Sequence, residues 1–471
     1  MKRTVFILLI VLCSSIAQAV APIKVACIGN SITYGARIVD REHDSYPAQL
    51  QRMLGDNYVV SNFGVNSSTL LHKGNKPYIN QPQYQQALQS NPDVVFIKLG
   101  TNDSKLVNRV YLDEYEHDYK EMIAAFEALP SHPRIVLLLP IKSFHPDSNS
   151  ISDKVIVGQI IPHIQHLAYT EHLEVIDLHS LFADKESLLA DKIHPNAEGA
   201  GIIAKRLADL LQQKRDVRFD IDKGIKYSVK QSSFYGYVCN DFTLNNHDCK
   251  VVQPKWSAIG HPWVWRARFW GHEPQADISL LERGFHIVYC DVIELFGNDE
   301  AINAWNGFYK VLRSAGLNKK AVMEGMSRGG VYVYNWAAVN PDKVACVYVD
   351  NAVLDLKSWP LGGGKSQKSV KDVEKFKADY HITTDEQLNN FHGSPIDKIG
   401  QIVKGKYPML HLLADNDEAV APADNTLLFE QKVKALGGNI TVLHKPGAKH
   451  HPHSLPNPMP IVDFILKTVQ L

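Results

Sequence analysis

The sequence predicts two α/β folds in succession, a three-layer sandwich followed by a second unit built round its own sheet. Three features predict it. A chain of 471 residues is longer than one ordinary core supports. Short apolar, β-branched runs alternate with amphipathic helical stretches along both halves. The charged stretch from Lys214 to Lys230 breaks that alternation once. The expected divisions are a leader over 1–19, a first domain over 22–213, a linker over 214–234 and a second domain over 235–471.

In the first half the expected strands are Ile23–Ile28, Val59–Val65, Asp93–Leu99, Arg134–Leu139 and Leu173–Leu178. Continuous apolar runs of this length read as parallel strands buried on both faces. Leu112, Tyr115, Tyr119, Met122, Ile123 and Phe126 share one helical face, and Ala200 to Leu211 forms another helix. The second half opens with a hairpin, Tyr235–Asp241 and Lys250–Lys255. Strands follow at Trp263–Ala267, His286–Val292, Lys320–Glu324, Val344–Val349, Met409–Leu413 and Thr441–His444. An antiparallel start followed by βα units is again α/β.

Lys2 and Arg3, the apolar run Val5 to Leu12 and Ala17-Gln18-Ala19 have the order of a cleavable secretory leader. The run is too short to anchor in a bilayer. Leu12 before Cys13 disfavours a lipoprotein signal, so the expectation is export to the periplasm or medium, with no membrane insertion afterwards. A formal charge of zero speaks against a nucleic-acid partner. Cys27, Cys290 and Cys346 lie in apolar runs and read as small core residues. Cys239 and Cys249 flank a polar turn, where an oxidising compartment permits a disulfide if the register suits it.

Four segments of the first half carry chemistry. They are Gly29-Asn30-Ser31, Asn62-Phe63-Gly64, Gly100-Thr101-Asn102-Asp103 and Asp191-Lys192-Ile193-His194. The first three end strands, and the carboxyl ends of parallel strands share one rim of the sheet. Ser31 needs a base to become a nucleophile, His194 fits that role, and Asp191 can orient the imidazole. The Ser31 amide, the Gly64 amide and the Asn102 side chain are the expected oxyanion donors. Each motif alone is common in unrelated turns. Together and in this order they resemble the SGNH, or GDSL-type, hydrolases over residues 22–213, with Ser31, Gly64, Asn102 and His194 on the four naming residues and Asp191 on the acid. Asn30 departs from the Asp of the GDS form. The resemblance implies a flavodoxin-like sandwich and activity on acyl and acetyl esters, often on sugars.

In the second half Gly325-Met326-Ser327-Arg328-Gly329 lies between an apolar strand and a helix, the context of a nucleophile elbow. Asp415 and Asp417 follow a later strand, and His450, His451 and His453 follow the last one. This half resembles the α/β-hydrolase superfamily over residues 235–471. The resemblance implies Asp417 as acid, His450 as base, the Arg328 amide as one oxyanion donor, and a second donor near Arg268 in the loop after Trp263–Ala267. Ser-Arg at the elbow is locally similar to glucuronoyl esterases, too locally to carry a substrate over. The alternatives are a non-catalytic carbohydrate-binding module and a lipase- or peptidase-type site. The histidine cluster has no matching carboxylate or cysteine spacing, so no metal and no cofactor are expected. Trp263, Trp265, Trp270, Trp305, Trp336 and Trp359 suit either core packing or sugar platforms. The expected whole is an exported esterase acting on acylated carbohydrate.

Overall fold

The structure, a computed structural model, describes residues 21–147 and 149–470. The expected leader and Cys13 lie outside the described residues. The first sheet is fully parallel, with β1 (Ile23–Gly29), β2 (Tyr58–Gly64), β3 (Val94–Lys98), β4 (Arg134–Leu138) and β5 (Glu174–Ile176) in the order β2-β1-β3-β4-β5. All five residues of β3 are buried, which is why the first four, Val94 to Ile97, read as an apolar run, with Lys98 closing the strand. Helices cover both faces. Tyr46–Leu54 and Ala197–Gln212 lie on one side, while Tyr115–Glu127 and Ile161–Thr170 lie on the other. The order reverses between β1 and β3, and such a switch point opens a crevice at the strands' carboxyl ends.

After the two-residue β6 (Arg215–Asp216), the second sheet is assembled from β7 (Lys230–Phe234), β8 (Tyr237–Leu244), β9 (His247–Gln253), β11 (Trp263–Ala267), β12 (His286–Cys290), β13 (Ala321–Met326), β14 (Val344–Asp350), β15 (Met409–Ala414) and β16 (Ile440–Lys445). The short β10 (Ser257–Ala258) pairs with β6 instead. The nine-stranded order is β16-β15-β14-β13-β11-β12-β9-β8-β7, parallel from β16 to β12 and antiparallel beyond. The flavodoxin-like sandwich and the α/β-hydrolase fold expected from the sequence are both present. Among the described residues no helix is long and apolar enough to cross a membrane.

One expectation needs correction, and one question left open by the sequence is closed. The stretch 214–234 does not hang free as a linker, since β6 and β7 are paired strands within it. β7 is the sheet edge, and its residues Lys230 to Phe234 are mostly solvent-facing, so the alternation that marks a strand is missing. The Cys239–Cys249 bridge is also excluded. In the β8–β9 register Cys249 stands opposite Phe242 and Cys239 opposite Val252. The two thiols point into different core layers.

Those layers are three. One lies on the outer face of the first sheet, around Phe96, Leu138 and Leu207. Another lies on the outer face of the second, around Trp265, Trp305 and Trp336. The middle layer is common to both halves and runs from Leu137, Ile164 and Leu167 to Tyr237, Val264, Leu280 and Ile461. Polar contacts rivet it. The Tyr237 hydroxyl donates to the Val175 carbonyl at 3.1 Å, and the buried Arg206 guanidinium meets Glu282 at 2.8 Å. Glu282 also accepts the Asp177 amide at 2.5 Å.

Candidate active sites

The first rim gathers its side chains as follows. β1 ends at Gly29, and Asn30 caps the short helix Ser31–Tyr34 by accepting the Ile32 amide at 3.1 Å. That cap sets Ser31 at the helix start with its hydroxyl 2.8 Å from His194 Nε2. His194 Nδ1 lies 2.8 Å from Asp191 Oδ2, so the three residues form one hydrogen-bonded line. Asp191 also accepts the backbone amides of His194 and Ile193 at 2.9 and 3.2 Å. Partial burial alone raises this carboxyl's pKa, but the hydrogen bonds from His194 outweigh it and hold it below the usual carboxylate range. Arg37 sits 3.4 Å from the same carboxylate, a contact the sequence reading missed.

At the second rim Ser327 follows β13 with φ of 48°, the left-handed turn of an elbow, strained for a residue with a side chain. The turn is tight because Gly329 abuts the Ala267 carbonyl, where a Cβ would come within 2.7 Å. Ser327 Oγ is 3.0 Å from His450 Nε2, and His450 Nδ1 is 2.7 Å from Asp417 Oδ2. Asp415, the other candidate acid, instead contacts His444 at 2.6 Å. Arg268 and Phe269, just after β11, both adopt positive φ, 61° and 46°. Arg266, fully buried, holds this turn by donating to the Phe269 and His272 carbonyls, and is itself paired with Asp277 and Glu324. A charge inside the apolar run Trp263–Ala267 was the available signal for it.

A cleft of about 530 Å³ opens over Ser327, walled by Phe269, Trp270, Arg328, Trp359 and His451 among others. The Arg328 guanidinium lies 5.5 Å from the Trp359 ring centre and pairs with Asp372 at 2.8 Å. Trp263, Trp265, Trp305 and Trp336 are core, leaving Trp270 and Trp359 facing the cleft. One ring nitrogen from each of His450, His451 and His453 lies within 4.8 Å of the others. Both nitrogens of His450 are engaged by Ser327 and Asp417, so a cation there would displace the serine hydroxyl.

Residues 27–202 match the sequence profile of the GDSL-like Lipase/Acylhydrolase family. An acetylxylan esterase of Xylanibacter ruminicola is 45% identical over 207 residues, 40% of this chain and 42% of that one. The N-terminal half is a GDSL-like lipase/acylhydrolase domain. The chain spans less than half the length of that Xylanibacter relative. Two solved structures also overlap with this chain, each at 16% identity. The M. smegmatis aryl esterase has a TM-score of 0.35, covering 40% of this chain and 98% of its own. Acetyl xylan esterase 1 of Thermoanaerobacterium sp. JW/SL YS485 has a TM-score of 0.38, covering 56% and 98%.

Within the GDSL domain the expected oxyanion donors fare differently. Asn102 is buried, and one hydrogen of its Nδ2 is given to the Ser68 carbonyl at 3.0 Å, leaving the other. The Gly64 amide is not free, because it donates to Asn62 Oδ1 at 2.9 Å. Glycine at 64 has a packing reason instead. A Cβ there would sit 2.1 Å from the Tyr34 amide nitrogen, inside the helix that carries Ser31. The residue the sequence reading passed over is Ser67. It has φ of 63°, and among the described residues its amide makes no hydrogen bond. Its neighbour Ser68 is tied to Asn102, and Leu71 is tied to Asp103 at 2.9 Å, so the loop is fixed against the rim. The signal was hard to see, because a serine occupies a backbone conformation where glycine is usual.

Proposed function

We propose that the protein is an exported serine esterase that removes acyl groups, acetyl foremost, from acylated carbohydrate, with Ser31 as nucleophile and a second serine-hydrolase centre at Ser327. The reading rests on the hydrogen-bonded line Ser31–His194–Asp191, with 2.8 Å at each step. His194 takes the hydroxyl proton as Ser31 Oγ attacks the ester carbonyl. The carbonyl oxygen becomes an oxyanion facing the Ser31 and Ser67 amides and the remaining Asn102 N–H. Collapse expels the sugar oxygen, which takes the proton back from His194. Water then hydrolyses the acyl-serine by the same sequence and releases the carboxylic acid. Asp191 keeps the imidazole in the tautomer that accepts at Nε2. At the second centre Ser327, His450 and Asp417 take the same parts, with the Arg328 and Arg268 amides as donors.

The name of the Xylanibacter relative is the support for an acetylated xylan as the first polymer to try. The leader-like opening of the sequence supports export. The test is acetate release from acetylated xylan and from a small aryl acetate by Ser31→Ala, Ser327→Ala and the double variant. Ser31→Ala should lose about a thousand-fold or more on the xylan, the scale on which triad residues act. Wild-type rates from that variant would end the reading. Ser327→Ala should lose activity on another ester of a panel of methyl, feruloyl and acetyl glycans. No loss on any ester, with polymer affinity intact, would make the second half a binding module.

A further inference from the structure

Cys249 and Cys290 stand opposite each other in the register of β9 and β12. These strands are antiparallel, and the neighbouring pair is joined by an Asp291 N–H donating to the Asp248 carbonyl at 2.8 Å. Bonded and non-bonded pairs alternate along such a ladder, so Cys249 and Cys290 form a non-hydrogen-bonded pair. Pairs of that kind hold their Cα atoms about 4.5 Å apart with side chains on one face, inside the span a disulfide needs. Both residues are buried in the same core layer, 1% and 2% exposed. The neighbouring Cys249 thiol, ahead of burial, pushes the Cys290 thiol upward in pKa. Cys27, Cys239 and Cys346 face no cysteine across their strand pairings.

We propose that Cys249 and Cys290 form a disulfide in the protein as it folds in an oxidising compartment. The oxidant is a disulfide, for example glutathione disulfide. One cysteine thiolate attacks it, forming a mixed disulfide and releasing one thiolate. The second cysteine thiolate attacks the mixed disulfide at the protein sulfur, forming the Cys249–Cys290 bond and releasing the second thiolate. The two protein thiols give up two protons and two electrons, and the oxidant becomes two thiols. Oxidation takes place before the strands close over both sulfurs. The bridge closes a loop that contains β11 and the Arg268–Phe269 turn, so it braces one wall of the Ser327 cleft. The inference stands apart from the role of either serine.

The full chain is folded in a glutathione/glutathione-disulfide buffer, denatured, alkylated without reduction and digested. The expected result is one linked species joining the Cys249 and Cys290 peptides, lighter than their sum by two hydrogens, with Cys27, Cys239 and Cys346 alkylated. Dithiothreitol should lower Tm by about 3–8 °C, the scale of a loop-closing bridge in a large chain. Cys239→Ser should keep both the link and the Tm response, whereas Cys290→Ser should lose both. Full alkylation of Cys249 and Cys290 in the wild-type chain, or a link from either to another cysteine, would overturn the proposal even if Cys290→Ser fails to fold.

Discussion

The residue with the plainest consequence for pH is Asp191. Its folded-state pKa is depressed, so it stays ionised as pH falls through the range where an imidazole takes up a proton, about 6.5 in ordinary surroundings. The acid limb of kcat/KM on acetyl esters should therefore follow a single proton, and a limb of slope two would count against one histidine base. Lys98 makes a separate prediction. It is fully buried at the end of β3, its ammonium has no hydrogen-bond partner among the described residues, and burial lowers its pKa to about 7. Against an unfolded value of 10.5, the unfolded chain binds the extra proton between about pH 7 and 10.5. Stability should rise with pH across that window, the burial cost being complete below it. Lys98→Met should stabilise by on the order of 2 kcal/mol at pH 6 and by much less at pH 10, read from denaturant midpoints. An equal effect at both pH values would show that Lys98 is not the titrating group.

At the scale of elements, the loop from Gly64 to Leu71 and the helix Ser31–Tyr34 are packed as one piece. Gly64→Ala drives a methyl into the Tyr34 backbone, so it should cost about 2–3 kcal/mol of stability and displace Ser31 from His194. Activity at the first centre should fall by at least tenfold while a Ser327-dependent activity stays, and retained acetyl release would show that the helix tolerates the shift. The same elements show how much the sequence disclosed. The five strands of the first sheet were legible because parallel strands buried on both faces are continuously apolar. Ser31, Asp191 and His194 were legible because their types and order are specific to a chemistry. Ser67 was not, because the role proposed for it lies in an amide and a φ angle, neither of which a side chain advertises. β7 was missed as a polar edge, and the placing of Cys249 opposite Cys290 was not legible because the register of β9 and β12 joins residues 41 positions apart.

For the whole molecule, the middle core layer and the Arg206–Glu282 pair make the halves one body. Cutting the chain after Gln213 would expose Ile164, Leu167 and Tyr237 to water together, so each fragment should aggregate, as light scattering would show. Glu282→Gln strips a charge from a buried pair and an acceptor from the Asp177 amide. It should destabilise the intact chain by about 3 kcal/mol without a direct effect on either serine, and an unchanged Tm would mean the pair contributes little. The two halves were legible in the sequence as separate folds, but their common core was not, since apolar periodicity tells which face is covered and not by what. That shared layer ties the two serine-bearing rims to one another. For the proposed two-centre esterase, a substrate held at one rim would therefore meet the other across a fixed offset, not through a closing motion of the two halves.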